Sequence, residues 1–191
     1  EYYRAYLKQL ICLIPSYWKL HHQIRSLAFQ NRLKAKPCRW KESIIFDQFL
    51  MPYLKKGWIK PERWTSPDGS LIIDSVKTSG KTAIIELPLE KIPDSPTFNL
   101  DIHLLQVYLN PPRWKQQRVS LYINRHKIKS WVFTNSEYHC ETVTAPTSIL
   151  KNSPLINLRF KMPDARSHLK MGISSDKRNM ALNLRLIRFW N

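Results

Sequence analysis

The chain has 191 residues, of which 43% are hydrophobic, 12% aromatic and 24% charged, which is enough for one folded domain and too little for two large ones. Its 31 lysines and arginines outnumber its 14 aspartates and glutamates, and the net charge of +17 favours anionic partners such as phosphate, nucleic acid, anionic lipid or acidic polysaccharide. The four glycines are widely separated, which excludes the glycine-rich phosphate loops of nucleotide-binding enzymes.

The cysteines and the first residues bear on where the protein acts. Cys12, Cys38 and Cys140 form no CxxC pair, which argues against a disulfide framework or a zinc ribbon. We therefore expect reduced thiols and a cytoplasmic location, peripheral to the inner membrane. No window approaches the roughly 20 uninterrupted apolar residues of a membrane span. The chain begins Glu1-Tyr2-Tyr3, without a methionine or a signal pattern, so we expect a piece of a longer polypeptide.

Residues 1–56 are predicted to form a basic helical extension or linker. Apolar residues recur there at helical spacing, prolines punctuate the run, and residues 1–41 hold nine basic residues and one acidic residue. Two interpretations of this arm stay open. Its cations and the aromatic residues Trp18, Phe29 and Trp40 could bind anionic lipid or RNA, or its apolar stripe could pack on a neighbouring domain beneath a basic outer face. The packing interpretation is favoured.

Residues 57–191 are predicted to form an antiparallel two-sheet β-sandwich, similar to a jelly roll. Short segments alternate apolar and polar residues and are separated by Pro, Asn, Asp and Ser, which is typical of such sandwiches. The predicted strands are 70–76, 82–89, 98–109, 119–124, 128–134, 138–143, 156–161 and 182–187. The apolar positions change parity between Leu104 and Leu105, which predicts a β-bulge, and Asn124 is predicted to start a hairpin turn.

Several motifs of the sandwich region occur in a recognisable order. They are Gly57-Trp58-Ile59-Lys60-Pro61-Glu62-Arg63-Trp64-Thr65, the strand from Val119 to Asn124, Trp131-Val132-Phe133, the run from Arg159 to Ser167, and the run from Met171 to Leu182 that contains Gly172-Ile173-Ser174-Ser175-Asp176-Lys177-Arg178. As a set, this series resembles a β-sandwich accessory domain of unknown function found beside bacterial glycosyltransferases and phosphoglycerol or sugar transferases of surface polysaccharide synthesis. The resemblance covers about Gly57 to Phe189. Arg125 stands where that family usually has a hairpin glycine.

The resemblance implies a non-catalytic, carbohydrate-related module attached to a catalytic transferase domain in the same polypeptide. Its partner would be a glycan or the acceptor end of a growing polysaccharide. The residues agree with a non-enzymatic module, because they show no HExxH motif, no Gly-x-Ser-x-Gly elbow and no Asp-x-Asp pair. We therefore predict no catalytic residues, no metal site and no cofactor.

Aromatic side chains with polar neighbours are the candidate glycan-binding residues, since exposed rings stack on the apolar faces of sugars while polar groups bind hydroxyls. The candidates are Trp58, Glu62, Trp64, Arg113, Trp114, Asp176 and Arg178. Each has a structural alternative: the tryptophans could be packing anchors, and Asp176 could cap a turn while Arg178 pairs with a carboxylate such as Asp164. The loop around Trp114 and Arg113 is the most exposed setting by sequence.

The alternative function is a structural or docking module that contacts a partner domain or the anionic membrane surface without a sugar site. The basic character supports it, because residues from 61 onward still hold 19 basic and 11 acidic residues. Charge spread over both zones fits a polyanion or a membrane better than sequence-specific nucleic-acid binding, which is the least favoured partner.

Overall fold

The computed structural model describes residues 37–46, 48–65, 69, 71–150 and 155–191. Helical structure there is short: two 3₁₀ segments, Gln48–Tyr53 and Thr147–Leu150, and one α-helical turn, α1 (His168–Met171). The strands are β1 (Ser43–Ile45), β2 (Leu54–Lys56), β3 (Glu62–Thr65), β4 (Ile72–Lys77), β5 (Thr82–Pro88), β6 (Thr97–Val107), β7 (Gln117–Ile123), β8 (His126–Phe133), β9 (His139–Pro146), β10 (Leu155–Lys161), β11 (Arg166–Ser167), β12 (Asn179–Met180) and β13 (Leu182–Trp190).

These strands build two antiparallel sheets that stack on each other. The first sheet has the order β3-β4-β13-β6-β9, with β1 paired to β13, and the second has the order β2-β5-β10-β7-β8. Strands β11 and β12 form a separate pair. The predicted mainly β, two-sheet sandwich is confirmed.

The hydrophobic core lies between the two sheets, because each strand turns alternate apolar side chains inward. Leu104 of β6 and Leu182 of β13 meet Val119 of β7 and Phe160 of β10 there, and each of the four is at most 2% exposed. The gap left between them is about 10 Å³, no larger than one water molecule. The polar residues of each alternation are therefore left on the two outer faces.

All eight predicted strands are present with small shifts of their ends. The predicted bulge is confirmed and involves two strands: Leu104 pairs with Leu184, while Leu105 of β6 and Arg185 of β13 are both left out of the ladder. The predicted hairpin is confirmed too. Asn124 and Arg125 both have positive φ, at 46° and 75°, which is the conformation of a tight turn between β7 and β8.

The predicted domain boundary at Gly57 is too late. Strand β1 pairs with β13 and β2 pairs with β5, so residues 43–45 and 54–56 are part of the sheets rather than of a helical linker. Ile44 and Phe46 are buried in the core. The helical spacing behind the prediction lies in residues 3–14, outside the described residues, and strands β1 and β2, with three residues each, are too short to show a period of their own. Residues 1–36 of the predicted helical extension, including Trp18 and Phe29, lie outside the described residues.

Trp40 belongs to the sandwich and is not a lipid- or RNA-facing ring. Its centroid lies 5.8 Å from those of both Phe98 and Phe189, in edge-to-face geometry with each. Its Nε1 donates a hydrogen bond to the Lys91 carbonyl at 2.8 Å. The indole therefore covers one end of the core.

Candidate functional site

A cleft of about 440 Å³ lies on the outer face of the first sheet, beside the edge strand β3. Strands β3, β4, β13 and β6 provide its floor, and α1 with the segments that follow β6 and α1 provides its wall. The residues that line it are Glu62, Arg63, Trp64, Ser75, Lys77, Leu105, Gln106, Tyr108, Leu109, His168, Ile173 and Asn183. We call it the β3 cleft.

The floor of the β3 cleft is polar because of strand register. Asn183 of β13 pairs with Lys77 of β4 on one side and with Gln106 of β6 on the other. Directly paired residues share a face of the sheet. Since Val76 and Leu182 next to them point into the core, Lys77, Asn183 and Gln106 point outward.

Trp64 and Glu62 occupy alternate positions of β3, so they share one face of the strand. Trp64 is 53% exposed, which is unusual for so large an apolar ring. Glu62 accepts a hydrogen bond from Lys77 Nζ at 2.5 Å. Behind them, Arg63 holds Asp74 through Nε and Nη2, at 2.8 and 3.1 Å. The rim of the cleft thus combines an exposed indole with fixed charges.

Two buried polar atoms of residues that line the β3 cleft have no hydrogen-bond partner in the described protein: Nε2 of His168 and Oδ1 of Asn183. Buried polar atoms are normally satisfied, because leaving one unpaired costs about 1–3 kcal/mol. Asn183 Oδ1 can only accept a hydrogen bond, whereas His168 Nε2 donates or accepts one according to the tautomer of the ring.

The His168 imidazole is held neutral. Burial lowers its pKa, and the neighbouring cations Lys77 and Arg178 lower it further, whereas Asp176 raises it. The first of these effects is the largest, so the net pKa lies below the ordinary value of a histidine. At neutral pH the ring offers one donor and one acceptor rather than a second positive charge.

Asp176 and Arg178 lie beside the cleft, where they bind each other. Arg178 Nη2 lies 2.6 Å from Asp176 Oδ2, and the Arg178 backbone N–H donates to Asp176 Oδ1 at 2.9 Å. These hydrogen bonds lower the pKa of Asp176 to about 2. Arg178 does not pair with Asp164, the example given for the structural alternative, because Asp164 is held by Arg118 through two contacts of 2.7 Å.

The remaining candidate residues lie outside the cleft. Trp58 packs edge-to-face on Phe160, with centroids 6.1 Å apart, and its Nε1 donates to the Ile84 carbonyl at 2.8 Å. Trp114 is half-buried and packs against the buried cluster of Tyr108, Met171 and Met180, of which Tyr108 also lines the cleft. Arg113 is exposed on the loop before it. Of the seven candidate residues, the structure brings Glu62, Trp64, Asp176 and Arg178 to the same region.

Sequence reasoning missed the polar floor and wall. Asn183 carried a usable signal, since it is the polar member of the Leu182-Asn183-Leu184 alternation and had to point outward. His168 carried none, because nothing local indicates that the turn α1 lies over β4 and β13.

The described residues show neither a reactive cysteine nor a cluster of metal ligands nor a membrane-spanning helix. Cys140 Sγ lies 3.5 Å from His103 Nε2 on the neighbouring strand, and burial raises the pKa of the thiol, so the sulfur stays protonated at neutral pH. Among the described residues there is no group of three side chains that could hold a metal ion. In the same part of the chain, no helix is long and apolar enough to cross a bilayer.

Comparison with solved structures gives weak similarities to carbohydrate-binding modules. A family 35 carbohydrate-binding module from Clostridium thermocellum aligns with 78% of this chain and 97% of its own, at 13% identity and a TM-score of 0.45. A β-1,3-glucan-binding family 6 module from Bacillus halodurans aligns with 82% of this chain and all of its own, at 10% identity and a TM-score of 0.47.

An exo-β-1,3-galactanase from Phanerochaete chrysosporium, solved with β-1,3-galactotriose, aligns with 78% of this chain at 12% identity and a TM-score of 0.43. The present chain spans 29% of the galactanase chain. The sequence matches no protein-family model and no curated protein. At these TM-scores, the similarities add nothing to what the strand pairing shows about the fold.

Proposed function

We propose that this domain is a non-catalytic carbohydrate-binding module whose β3 cleft binds a glycan. In a longer polypeptide it would bind the acceptor polysaccharide and position a catalytic transferase domain beside it. The observation that carries the proposal is the exposed Trp64 ring beside two buried polar atoms without partners, Asn183 Oδ1 and His168 Nε2.

Sugar chemistry matches these groups. A pyranose has an apolar C–H face, which stacks on an indole, and a rim of hydroxyls, which both donate and accept. Asn183 Oδ1 is an acceptor for one hydroxyl, and the neutral His168 ring pairs with another through Nε2. A cleft of about 440 Å³ is within the range of small-ligand sites.

The transferase context rests on the motif series in the sequence. Its opening motif, Gly57 to Thr65, supplies Glu62 and Trp64, and its closing motif, Met171 to Leu182, supplies Ile173, Asp176 and Arg178. These motifs are far apart in the chain, and the cleft is lined by Glu62 and Trp64 of one and Ile173 of the other. Asp176 and Arg178 are neighbours of His168 in its wall. If the cleft binds a ligand, both motifs contribute residues to the same binding site.

A glycan array followed by calorimetric titration of the full chain tests this function. We expect Trp64→Ala to weaken the best neutral oligosaccharide about tenfold or more, because the stacking surface is lost. The matched control is Val132→Ala, an equally exposed apolar residue on an edge strand of the other sheet, and it should bind as the unmodified protein does. Neutral-glycan binding that survives Trp64→Ala, or no neutral-glycan binding at all, would overturn the proposal.

A further inference from the structure

The outer face of the second sheet carries a line of residues that crosses all five strands. It follows from the register, in which each member pairs directly with the next and so shares its face. The members, from β8 to β2, are Lys127, Tyr122, Arg159, Ile84 and Lys56. We call this line the basic row.

The basic row points to solvent. Leu158 and Phe160, which flank Arg159 on β10, are buried in the core, so the Arg159 side chain lies on the opposite face. Neighbouring strands are about 4.8 Å apart, which puts cationic positions two strands apart at intervals of about 10 Å. Lys161 adds a fourth cation, with Nζ 4.8 Å above the Tyr122 ring.

Within the part of the chain that the structure describes, the cations of this surface lack acidic partners. Lys56, Lys127, Arg159 and Lys161 form no ion pair with another described residue. Arg118, on the same face, shows the contrast, because Asp164 binds both ends of its guanidinium.

Glu86 lies two residues from Ile84 on β5 and so shares the face of the row, and its carboxylate is already held. Asn157 Nδ2 donates to Glu86 Oε1 at 3.1 Å, and Lys55 Nζ lies 3.7 Å from Glu86 Oε2. The positive potential of the row is therefore not cancelled by this carboxylate.

A surface cleft of about 590 Å³ lies where the row meets the β7–β8 hairpin. Its described lining includes Arg125, His126 and Arg159 and has no acidic side chain. The positive-φ turn at Asn124 and Arg125 fixes the backbone that carries these groups, since Asn124 also binds the Ile149 carbonyl and the Asn157 backbone N–H. The cleft extends the cationic surface at one end.

We propose that the basic row and this cleft form a second binding surface, for an anionic polysaccharide that carries carboxylate or phosphate groups. A linear polymer with regularly placed negative groups matches cations set in a line at regular intervals. The guanidinium of Arg159 suits bidentate binding of either group. That the polyanion is a glycan rests on the proposed function of the β3 cleft.

A membrane is the less favoured ligand of this surface. Peripheral binding to lipid normally combines cations with apolar side chains that enter the bilayer. The apolar members of the row, Tyr122 and Ile84, are half-buried, and Leu155 of the adjoining cleft is 37% exposed. The surface therefore offers more charge than exposed apolar area for insertion into a bilayer.

Titration of the full chain with polygalacturonate at low salt tests this surface. The double variant Lys127→Gln/Arg159→Gln should bind about tenfold more weakly and show a smaller dependence on salt, because two charge contacts are lost. Lys91→Gln/Lys115→Gln is the matched control, since both lysines are exposed and the net charge changes equally. Thermal melting of both double variants reports any loss of folding.

The outcomes separate this proposal from the previous one. Loss of polygalacturonate binding in the basic-row variant, but not in the control or in Trp64→Ala, supports it even if no neutral glycan binds the β3 cleft. Equal loss in both double variants shows charge attraction without a site and overturns it. Binding of phosphatidylglycerol vesicles but not of polygalacturonate overturns it in favour of a membrane, and unchanged binding in the basic-row variant also overturns it.

Discussion

The two outer faces of the sandwich are built by the same alternation but use their polar residues differently. On the first sheet, Asp101 is 4% exposed and accepts hydrogen bonds from Arg188 Nη2 and Thr142 Oγ1, both at 2.8 Å. On the second sheet, Arg159 and Lys127 have no acidic partner among the described residues. Charge is therefore paired around Asp101 on the first sheet, whereas the cations of the basic row on the second sheet have no acidic partner among the described residues.

Substitution of Gly57, at the junction between the two sheets, should reduce stability more than the other substitutions considered below. Gly57 follows β2 of the second sheet and precedes β3 of the first, with φ of 76°, and a Cβ there would overlap the Thr82 carbonyl oxygen. We expect Gly57→Ala to lower the free energy of unfolding by about 3 kcal/mol, because strain and a backbone overlap add. Urea denaturation measures the change.

Gly172→Ala is the control for that substitution. Gly172 has a similar φ of 72°, but nothing lies within 4 Å of a Cβ built there. It should lose only about 1 kcal/mol, from backbone strain alone. Equal losses at the two positions would show that the close approach to Thr82 is not what makes Gly57 necessary.

Removing the charge of Asp101 tests how much its hydrogen bonds with Arg188 and Thr142 stabilise the first sheet. Asp101→Asn should lower the free energy of unfolding at pH 7 by about 2 kcal/mol, since charged hydrogen bonds from a mostly buried carboxylate are weakened. Burial alone would raise the pKa of Asp101, but hydrogen bonds from Arg188 and Thr142 outweigh it and hold the pKa below the usual value. The carboxylate is therefore stabilised in the folded state.

The loss of stability in Asp101→Asn should depend on pH, because folding lowers the pKa of the Asp101 carboxyl. A carboxyl whose pKa is lower when folded contributes stability above its unfolded pKa of about 3.9, and the contribution disappears as the pH falls through the folded pKa. Denaturation curves of the unmodified protein and of Asp101→Asn should therefore converge below about pH 4. Curves that stay equally far apart at pH 3 would mean that the loss comes from packing rather than from charge.

The smallest change in stability is expected for Lys161, on the outer face of the second sheet. Lys161→Gln removes a cation that lies over the Tyr122 ring, a contact worth about 0.5 kcal/mol at an exposed site, and it also relieves repulsion from neighbouring cations. The free energy of unfolding should change by less than about 0.5 kcal/mol. A loss as large as that of Asp101→Asn would show that the two faces do not differ in the way described.

Periodicity predicted the fold wherever a strand was long enough to show it. The alternation around Leu158 and Leu184 identified β10 and β13, and the change of parity at Leu105 identified the bulge. Strands β1, β2 and β3 have three or four residues each, too few for two apolar positions to repeat, and their pairing depends on distant partners such as β13 and β5.

The candidate site was predictable only in part, for the same reason. Trp64 and Glu62 were recognisable because the local sequence places an aromatic ring and a carboxylate two residues apart. Lys77 and His168 join them through strand register and through the position of α1, which no local pattern contains. Trp58 and Trp114 looked similar to Trp64 in sequence, and burial alone separates them.

The irregularity shared by β6 and β13 consists of two separate insertions, one in each strand. Leu105 and Arg185 are both unpaired, yet the ladder keeps one register on either side of the Leu104–Leu184 pair. Each is the extra residue of its own strand, so deleting either one would leave the paired residues on the faces that they now occupy. In related sequences, a gap at one of these positions should therefore be tolerated without a gap at the other.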